Sequence, residues 1–368
     1  MQHMRYVQDI RALIFFLVLT SLTGCDTTQP VNKEEYPTWI VINTSNGHLL
    51  HNKINDLTVD IEDKIWIATD SGANAFNKGL WLSFTDSLSY IVYPPPPEKP
   101  MKAHIVNSIA ATGNILWFAL KGGGLIWYNK FSEGKIWRRY TENNGLLFNY
   151  INWVASDLPH KELWAASQYG VNRYVPSTTT PDDGIWLTYT KNNSLLPTNN
   201  IKVIEVNPVD NSIWFGTFDK GLVSFDRDKT WNHYPIPPPY DEHITSIAFD
   251  ANSKVWVGRG TNSDGGISLL DVPTGTWIHY TMRERTNGVL PRRRVNAIVT
   301  NMRGTRWFGT DNGLVLLKDT TWSIVRKSST PELPSDTIRA LLYDRYENLW
   351  IGTDKGIAVY NPEGAKIK

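Results

Sequence analysis

Residues 348–356 read Asn-Leu-Trp-Ile-Gly-Thr-Asp-Lys-Gly. A short apolar run with a central tryptophan is followed by a polar turn and a glycine, which is the pattern of a β-hairpin. The same arrangement recurs along the chain, so that tryptophan occupies seven equivalent positions: Trp66, Trp117, Trp164, Trp214, Trp256, Trp307 and Trp350. A pattern that returns every 40 to 50 residues or so predicts an array of one small structural unit.

Each unit contains four short strand-like segments. In the last unit three of them cover residues 338–343, 349–353 and 357–360, and polar turns separate them. The fourth carries a second recurring tryptophan, at Trp39, Trp81, Trp137, Trp186, Trp231, Trp277 and Trp322. Four antiparallel strands per unit are typical of a propeller blade. The sequence therefore predicts an all-β fold, a seven-bladed β-propeller over residues 37–361 whose tryptophans fill the wedges between blades.

The two ends of the repeat predict how the ring closes. After Gly356 only twelve residues follow, and none of them is tryptophan, so the seventh unit has no fourth strand of its own. Residues 38–43 form a fourth strand with no unit before it. We expect this N-terminal strand to complete the last blade, because an open ring would expose strand edges. Residues 362–368 are then a short tail.

The amino terminus has the features of a secretion signal. Arg5 and Arg11 precede an apolar run over residues 12–22, which is too short to span a bilayer comfortably. The following Leu-Thr-Gly-Cys resembles the lipobox of bacterial lipoproteins, and Cys25 is the only cysteine in the chain. The resemblance implies a signal peptide over residues 1–24, a lipid anchor on Cys25 and a polar tether over residues 25–36.

The last repeat resembles the two-component regulator propeller repeat, through residues 333–340, Asp344 and residues 348–356. Weaker copies lie at residues 211–217 and 304–313. In that family such repeats usually form the extracytoplasmic sensor of a hybrid histidine kinase, often one that detects glycan breakdown products. The sensors continue into a β-sandwich, a transmembrane helix and a kinase. None of these follows Asn361, so we expect no kinase activity from this polypeptide.

The charge and the histidine spacing of the chain argue against several classes of binding partner. The formal net charge is only +1, so no global field attracts nucleic acid or an anionic membrane. The histidines show no metal-ligand spacing, and we expect neither a metal nor another cofactor. The expected membrane contact is through the lipidated Cys25.

The second position of every innermost strand is polar. Its occupants are Asn55, Asn107, Asn152, Lys202, Thr245, Asn296 and Arg339. We expect these seven side chains to ring one mouth of the central channel and to form a candidate ligand site. The alternative is that they bond channel water and neighbouring strand ends, as buried polar groups must.

Other segments should reach the same face. The turns after the second strands supply Asp70, Lys121, Tyr169, Asp219, Arg259, Asp311 and Asp354. Two proline-rich loops, residues 93–97 and 235–240, and a basic loop at residues 283–285 with 292–294, enter the inner strands. Proline stiffens a loop and so reduces the entropy lost on binding. Basic side chains beside a tyrosine could hold an anionic sugar or an acidic partner segment, or form an ordinary solvated cluster.

Three functions remain open from the sequence. The first is a lipid-anchored binding or interaction module of the bacterial cell envelope, on the periplasmic side or at the surface, which binds an oligosaccharide or an envelope protein. The second is a sensor subunit that serves a separate histidine kinase. The third is a propeller lyase or hydrolase, for which His243 is the best available base; no catalytic residue is assigned, since no nucleophile elbow or triad pattern is present.

Overall fold

The computed structural model describes residues 36–85, 105–130, 137–179, 183–250, 254–261, 265–291, 294–301 and 303–367. From Tyr36 onward the chain forms one compact unit. The expected signal peptide, Cys25 and most of the tether lie outside the described residues, as does the loop at residues 93–97.

Strand β1 (Trp39–Ile42) comes first and belongs to the last blade. Blade one contains β2 (Ile54–Val59), β3 (Ile65–Thr69), β4 (Gly72–Asn77) and β5 (Leu80–Phe84). Blade two contains β6 (Val106–Thr112), β7 (Ile115–Leu120), β8 (Gly124–Asn129) and β9 (Trp137–Tyr140). Blade three contains β10 (Trp153–Asp157), β11 (Glu162–Ser167), β12 (Gly170–Pro176) and β13 (Gly184–Tyr189). Blades four and five contain β14 (Ile201–Val206), β15 (Ile213–Thr217), β16 (Leu222–Phe225) and β17 (Trp231–Tyr234); β18 (Ile244–Phe249), β19 (Val255–Arg259), β20 (Gly266–Asp271) and β21 (Thr276–Tyr280). Blades six and seven contain β22 (Val295–Thr300), β23 (Arg306–Thr310), β24 (Gly313–Lys318) and β25 (Thr321–Val325); β26 (Ile338–Tyr343), β27 (Leu349–Thr353) and β28 (Gly356–Tyr360).

These strands form seven antiparallel four-stranded sheets arranged in a ring. In every sheet the first strand of the repeat unit lies innermost, and it packs against the first strand of the next blade; β26 of blade seven packs against β2 of blade one in the same way. The fold predicted from the repeat, a seven-bladed β-propeller of four-stranded antiparallel blades, is confirmed.

The ring closes as the termini predict. Strand β1 pairs antiparallel with β28, with Trp39 opposite Tyr360 and Ile42 opposite Ile357, and thereby supplies the fourth strand of blade seven. Residues after β28 add to this closure, since the backbone N–H of Ala365 donates to the carbonyl of Pro37 at 2.8 Å and Ala365 is buried. Both ends of the described chain are therefore held on the same blade.

The first set of tryptophans forms the wedges between blades. All seven are buried, with relative exposures from 0% to 5%. Trp66 lies 5.8 Å from Phe118 of blade two, and Trp350 lies 5.6 Å from Phe76 of blade one, measured between ring centroids. Buried aromatic pairs add packing energy beyond the area that they remove from water. The indole rings are scaffold and are not available to stack on a sugar.

Candidate functional site

The seven predicted ring residues lie around one cavity at the mouth of the channel. They are joined there by Tyr150, Trp153, His243, Arg294 and Asp311. Solvent-sized molecules can occupy about 270 Å³ of this space, which we call the mouth cavity. The fold brings the residues together because each occupies the same position at the start of an inner strand, and seven such positions form a circle.

Six of the seven ring residues bond to the next blade. Their side chains donate to the backbone carbonyl of the residue that opens the following blade: Asn55 to Val106, Asn107 to Ile151, Asn152 to Ile201, Thr245 to Val295, Asn296 to Ile338 and Arg339 to Ile54. The donor–acceptor distances for the asparagines and Arg339 are 2.7–2.9 Å. We call these bonds the blade latches. They satisfy strand-end carbonyls that would otherwise be left unpaired at the channel wall.

Lys202 departs from this pattern. Among the described residues it is the one ring position that forms no latch, and its ammonium lies 5.0 Å from the ring centroid of Phe218. The pKa of Lys202 is lowered because the amine is partly removed from water and because Arg294 places a second positive charge nearby. The carbonyl that a latch from blade four would reach belongs to Ile244.

The mouth cavity carries more positive than negative charge. Lys202, Arg294 and Arg339 line it, and Asp311 is the one carboxylate among the lining residues described. The guanidinium Nε of Arg294 is buried without a hydrogen-bond partner, while Asp311 accepts a hydrogen bond from Asn296 at 2.7 Å. Three cations around a single carboxylate leave a net positive site.

His243, the base considered for a lyase, also lines the mouth cavity. Its ring lies 4.5 Å from the ring of Phe218, and its Nδ1 is buried without a hydrogen-bond partner. Burial, with a further contribution from the Arg294 charge, lowers the pKa of His243 to about 4. The imidazole is therefore neutral at pH 7, and its basicity there is weak. In the part of the chain that the structure describes, no group of three or more His, Cys, Asp or Glu residues could hold a metal ion.

Trp153 lines both the mouth cavity and a second cavity, which we call the inner cavity. The inner cavity contains two carboxyl groups, Asp56 and Glu205. Asp56 accepts hydrogen bonds from Ser108 Oγ and Ile109 N–H, yet burial raises its pKa to about 6. Burial and the nearby Asp56 raise the pKa of Glu205 to about 8. Sequence reasoning did not select either residue.

Blade five departs from the expected turn geometry. Arg259 is not in the turn after the second strand, as the sequence suggested, but is the last residue of β19 and is 1% exposed. The residues at the same place in most other blades are Thr or Ser. The predicted turn position was wrong by one residue because six residues separate Arg259 from Gly266, where two separate Thr69 from Gly72. The pKa of Arg259 falls to about 10, mainly because burial removes the guanidinium from water.

Two loops that the sequence predicted to reach the mouth face lie next to Arg259. Tyr240 ends the proline-rich loop, and its hydroxyl donates to Glu284 of the basic loop at 2.9 Å. The two loops therefore meet on the mouth face of blade five. Arg292 and Arg293 of the same basic cluster lie outside the described residues.

The expected membrane attachment cannot be placed on the fold, since Cys25 precedes the described residues. Within residues 36–367, apart from the segments left out above, no helix is long and apolar enough to cross a membrane.

A family model described as the two component regulator propeller matches residues 332–355, which form part of blade seven. No curated protein matches the chain. The match covers one repeat and agrees with the resemblance inferred from that segment.

Solved structures share the fold at low sequence identity. The extracellular domain of a protein described as a hybrid two-component system from B. thetaiotaomicron is 21% identical, with a TM-score of 0.69 over 89% of this chain and 42% of that chain. A second such domain from B. thetaiotaomicron is 18% identical, with a TM-score of 0.66 over 88% of this chain and 40% of that chain. The chain thus spans less than half the length of these structures.

Enzymes share the architecture as well. A streptogramin B lyase is 14% identical, with a TM-score of 0.62 over 88% of this chain and 97% of that chain. At these identities the likeness to sensors and lyases concerns the fold alone, and a fold hosts many functions.

Proposed function

We propose that this protein is a ligand-binding or protein-interaction module of the bacterial cell envelope, anchored by lipid on Cys25, and that the mouth cavity binds an anionic group. The observation that carries the proposal is the excess positive charge of Lys202 and Arg294 at the mouth. Neither side chain forms a salt bridge in the described structure, although the charge of Asp311 acts on Arg294, whereas the other ring residues are occupied by latches.

The geometry favours binding over catalysis. Catalytic residues need a positioned base whose pKa lies near the working pH. His243 has a pKa of about 4, and its ring packs at a tilt against Phe218, with no described hydrogen bond to a carboxylate that would orient it. Half-buried cations around a polar cavity, in contrast, attract and hold a carboxylate or sulfate group without further chemistry.

A role as the sensing subunit of a separate kinase is a narrower form of the same proposal. Its support is the match of blade seven to the regulator propeller repeat and the shared fold with extracellular domains of two-component systems. In that case the bound ligand would alter how the mouth face meets a partner, and an acidic segment of that partner could occupy the cationic mouth.

The repeat supplies a variant that tests the mouth cavity. Lys202→Asn places at blade four the residue that forms latches in blades one, two, three and six, so the ring keeps its structure while the charge is lost. Trigalacturonate is the anionic probe, and galactotriose is its neutral control; binding is measured by calorimetry on the full chain in detergent. We expect trigalacturonate to bind and Lys202→Asn to weaken binding by at least about fivefold.

Lys318→Asn removes an exposed lysine far from the mouth and should leave the affinity unchanged. Equal affinity of the wild type and Lys202→Asn for trigalacturonate, or equal binding of the neutral trisaccharide, would contradict the proposed anion site.

A further inference from the structure

The second strand of most blades ends on a hydroxyl residue with one structural task. The side chain donates to the carbonyl of the glycine that opens the third strand, at 2.7–3.0 Å, in Thr69, Ser167, Thr217, Thr310 and Thr353. This bond closes the turn between the two strands. Leu120 of blade two and Arg259 of blade five are the two exceptions. Leucine is an ordinary apolar residue in a buried position, but a buried arginine requires a separate explanation.

Arg259 is a buried cation without a salt bridge among the described residues, although the charges of Asp241 and Glu284 act on it from nearby. Its side chain is 1% exposed, and its Nε and Nη2 atoms have no hydrogen-bond partner in the described structure. The guanidinium carbon lies 5.1 Å from the ring centroid of Tyr240, a contact that compensates part of the lost hydration. Buried guanidinium groups in proteins are ordinarily paired with an acid or fully hydrogen-bonded, because an uncompensated buried charge is destabilising.

Arg259 lines an open cavity on the mouth face of blade five. Solvent-sized molecules can occupy about 560 Å³ of it, and Asp241, Glu284 and Thr261 are among the other lining residues. We call this space the blade-five cavity. Its walls are fixed by several contacts: Asp241 accepts from the N–H groups of His243 and Thr261. Tyr240 stacks on His279, with ring centroids 3.8 Å apart.

We propose that the blade-five cavity is a binding site for a small monocarboxylate that also carries hydroxyl or ammonium donors. The ligand carboxylate would pair with Arg259, and its donor groups would meet the carboxylates of Asp241 and Glu284. This site is separate from the mouth cavity and does not depend on the function proposed there.

The charges of the cavity favour this class over a dianion. Among the lining residues that the structure describes, Arg259 and the exposed Arg283 are balanced in charge by Asp241 and Glu284. A phosphate or sulfate dianion would approach two carboxylates with only one buried cation as partner. A ligand with one carboxylate and several donors satisfies the guanidinium and the acids together. Sugar acids and amino acids both have this chemistry.

The repeat again provides the variant that tests the site. Arg259→Thr restores the residue used at this position in blades one, four, six and seven, so the turn gains its usual hydroxyl bond while the buried cation is removed. The probes for the full chain in detergent are galacturonate, L-serine and, as the parent without a carboxylate, galactose. Near-ultraviolet circular dichroism, which reports the tryptophan packing, checks that the variant keeps its fold.

We expect galacturonate or L-serine to bind saturably, galactose not to bind, and Arg259→Thr to weaken binding at least about tenfold. Which of the two acids binds distinguishes a sugar acid from an amino acid. Arg283→Thr removes an exposed cation from the rim of the same cavity and should change the affinity less than about threefold. Lys202→Asn should retain this binding, which separates the two sites.

The proposal is overturned if neither carboxylate binds at concentrations up to about 20 mM. It is equally overturned if a folded Arg259→Thr variant binds as the wild type does, or if Arg283→Thr loses as much affinity as Arg259→Thr. If Arg259→Thr fails to fold, Arg259→Lys is the second test. Lysine retains the positive charge but lacks the planar guanidinium that binds a carboxylate through two hydrogen bonds, so binding should still weaken. Unchanged affinity of Arg259→Lys would refute the pairing.

Discussion

Replacing Glu205 by Gln should make the stability of the protein less dependent on pH. Glu205 faces Asp56 across the inner cavity, and burial together with that neighbour raises the pKa of Glu205 from 4.5 to about 8. Between these two values the folded protein holds a proton that the unfolded chain releases. Folding stability therefore falls as pH rises from about 4.5 to about 8, and is constant with respect to this group outside that interval.

The size of the effect follows from the same values. When the folded and unfolded states differ by one bound proton, the free energy of unfolding changes by about 1.4 kcal/mol for each pH unit. Raising the pH from 5 to 8 would thus lower the stability by up to about 4 kcal/mol through Glu205. This is an upper figure, because the side chain is only partly buried at the surface of the cavity. Glutamine has nearly the shape of protonated glutamate and cannot ionise. The variant should therefore lack the pH-dependent contribution that Glu205 makes to stability.

Two histidines act in the opposite direction and determine how the assay must be read. His243 and His279 have pKa values lowered to about 4 by burial, so the unfolded chain binds more protons than the folded protein between pH 4 and 6.5. Their contribution to stability rises with pH over that range. The informative quantity is therefore the difference between the variant and the wild type at each pH.

Urea unfolding followed by tryptophan fluorescence at pH 5, 6, 7 and 8 measures that difference. We expect Glu205→Gln to gain stability relative to the wild type as pH rises, with most of the gain between pH 6 and 8. Glu332→Gln, at an exposed position, should follow the wild type at every pH. A difference that stays constant from pH 5 to 8 would refute the idea that Glu205 remains protonated in the folded channel.

Two further predictions concern closure and anchoring. Deleting residues 1–43 removes β1 and leaves β28 as an unpaired edge, so we expect a lower melting temperature and aggregates in size-exclusion chromatography. Deletion of residues 1–35 alone retains β1 and is the control; equal melting and a monomeric profile for both truncations would contradict the closure argument. Cys25→Ser should move the protein from the membrane to the soluble fraction, since each buried acyl methylene contributes about 0.8 kcal/mol to anchoring. Thr28→Ala is the matched control, and an unchanged membrane fraction would exclude a lipid anchor at Cys25.

The architecture was predictable because each blade repeats the same local signals. The hairpin pattern seen around Trp350 occurs seven times in all, and tryptophan at the wedge position is dictated by packing within and between adjacent blades. Strand ends differ from expectation by a residue or two. The closing strand covers Trp39–Ile42 instead of residues 38–43, and β10 begins at Trp153, although Asn152 was predicted to be the second residue of that strand. Such ends depend on hydrogen bonds to neighbouring strands, which a single segment does not reveal.

The position of the mouth residues could be predicted from the sequence, but their partners could not. Equivalent places on seven inner strands must form a circle, so Asn55 and its counterparts had to meet at one mouth. Whether an amide bonds the next blade or remains available depends on the distance to a carbonyl about 50 residues away in the chain, such as that of Val106. For that reason the latches, and the exception at Lys202, appear only in the structure.

Comparison of the blades explains why the inner acids were missed and how they could have been found. At the position of Glu205 the other blades carry Thr58, Ala110, Ala155, Ala248, Val299 and Leu342. One ionisable residue among six small or apolar ones is a signal, but only after the strands are aligned. The ring position is conspicuous because all seven of its residues are polar, whereas an acid on the channel wall changes the pattern of one strand only.

Comparison of equivalent residues in the seven blades also identifies two unusual cations on the mouth face. Every blade must pack its second strand against its third, and five blades do so with a hydroxyl that bonds the following glycine. Blade five uses Arg259, whose guanidinium atoms Nε and Nη2 the fold leaves unpaired. Blade four likewise has Lys202 where a latch would serve. Blades one, two, three, five and six form latches with uncharged side chains, and five blades close the turn with a hydroxyl, so the scaffold does not require either cation. Both lie on the face where the cavities open, and a ligand carboxylate that pairs with the cation is the partner that each one fits.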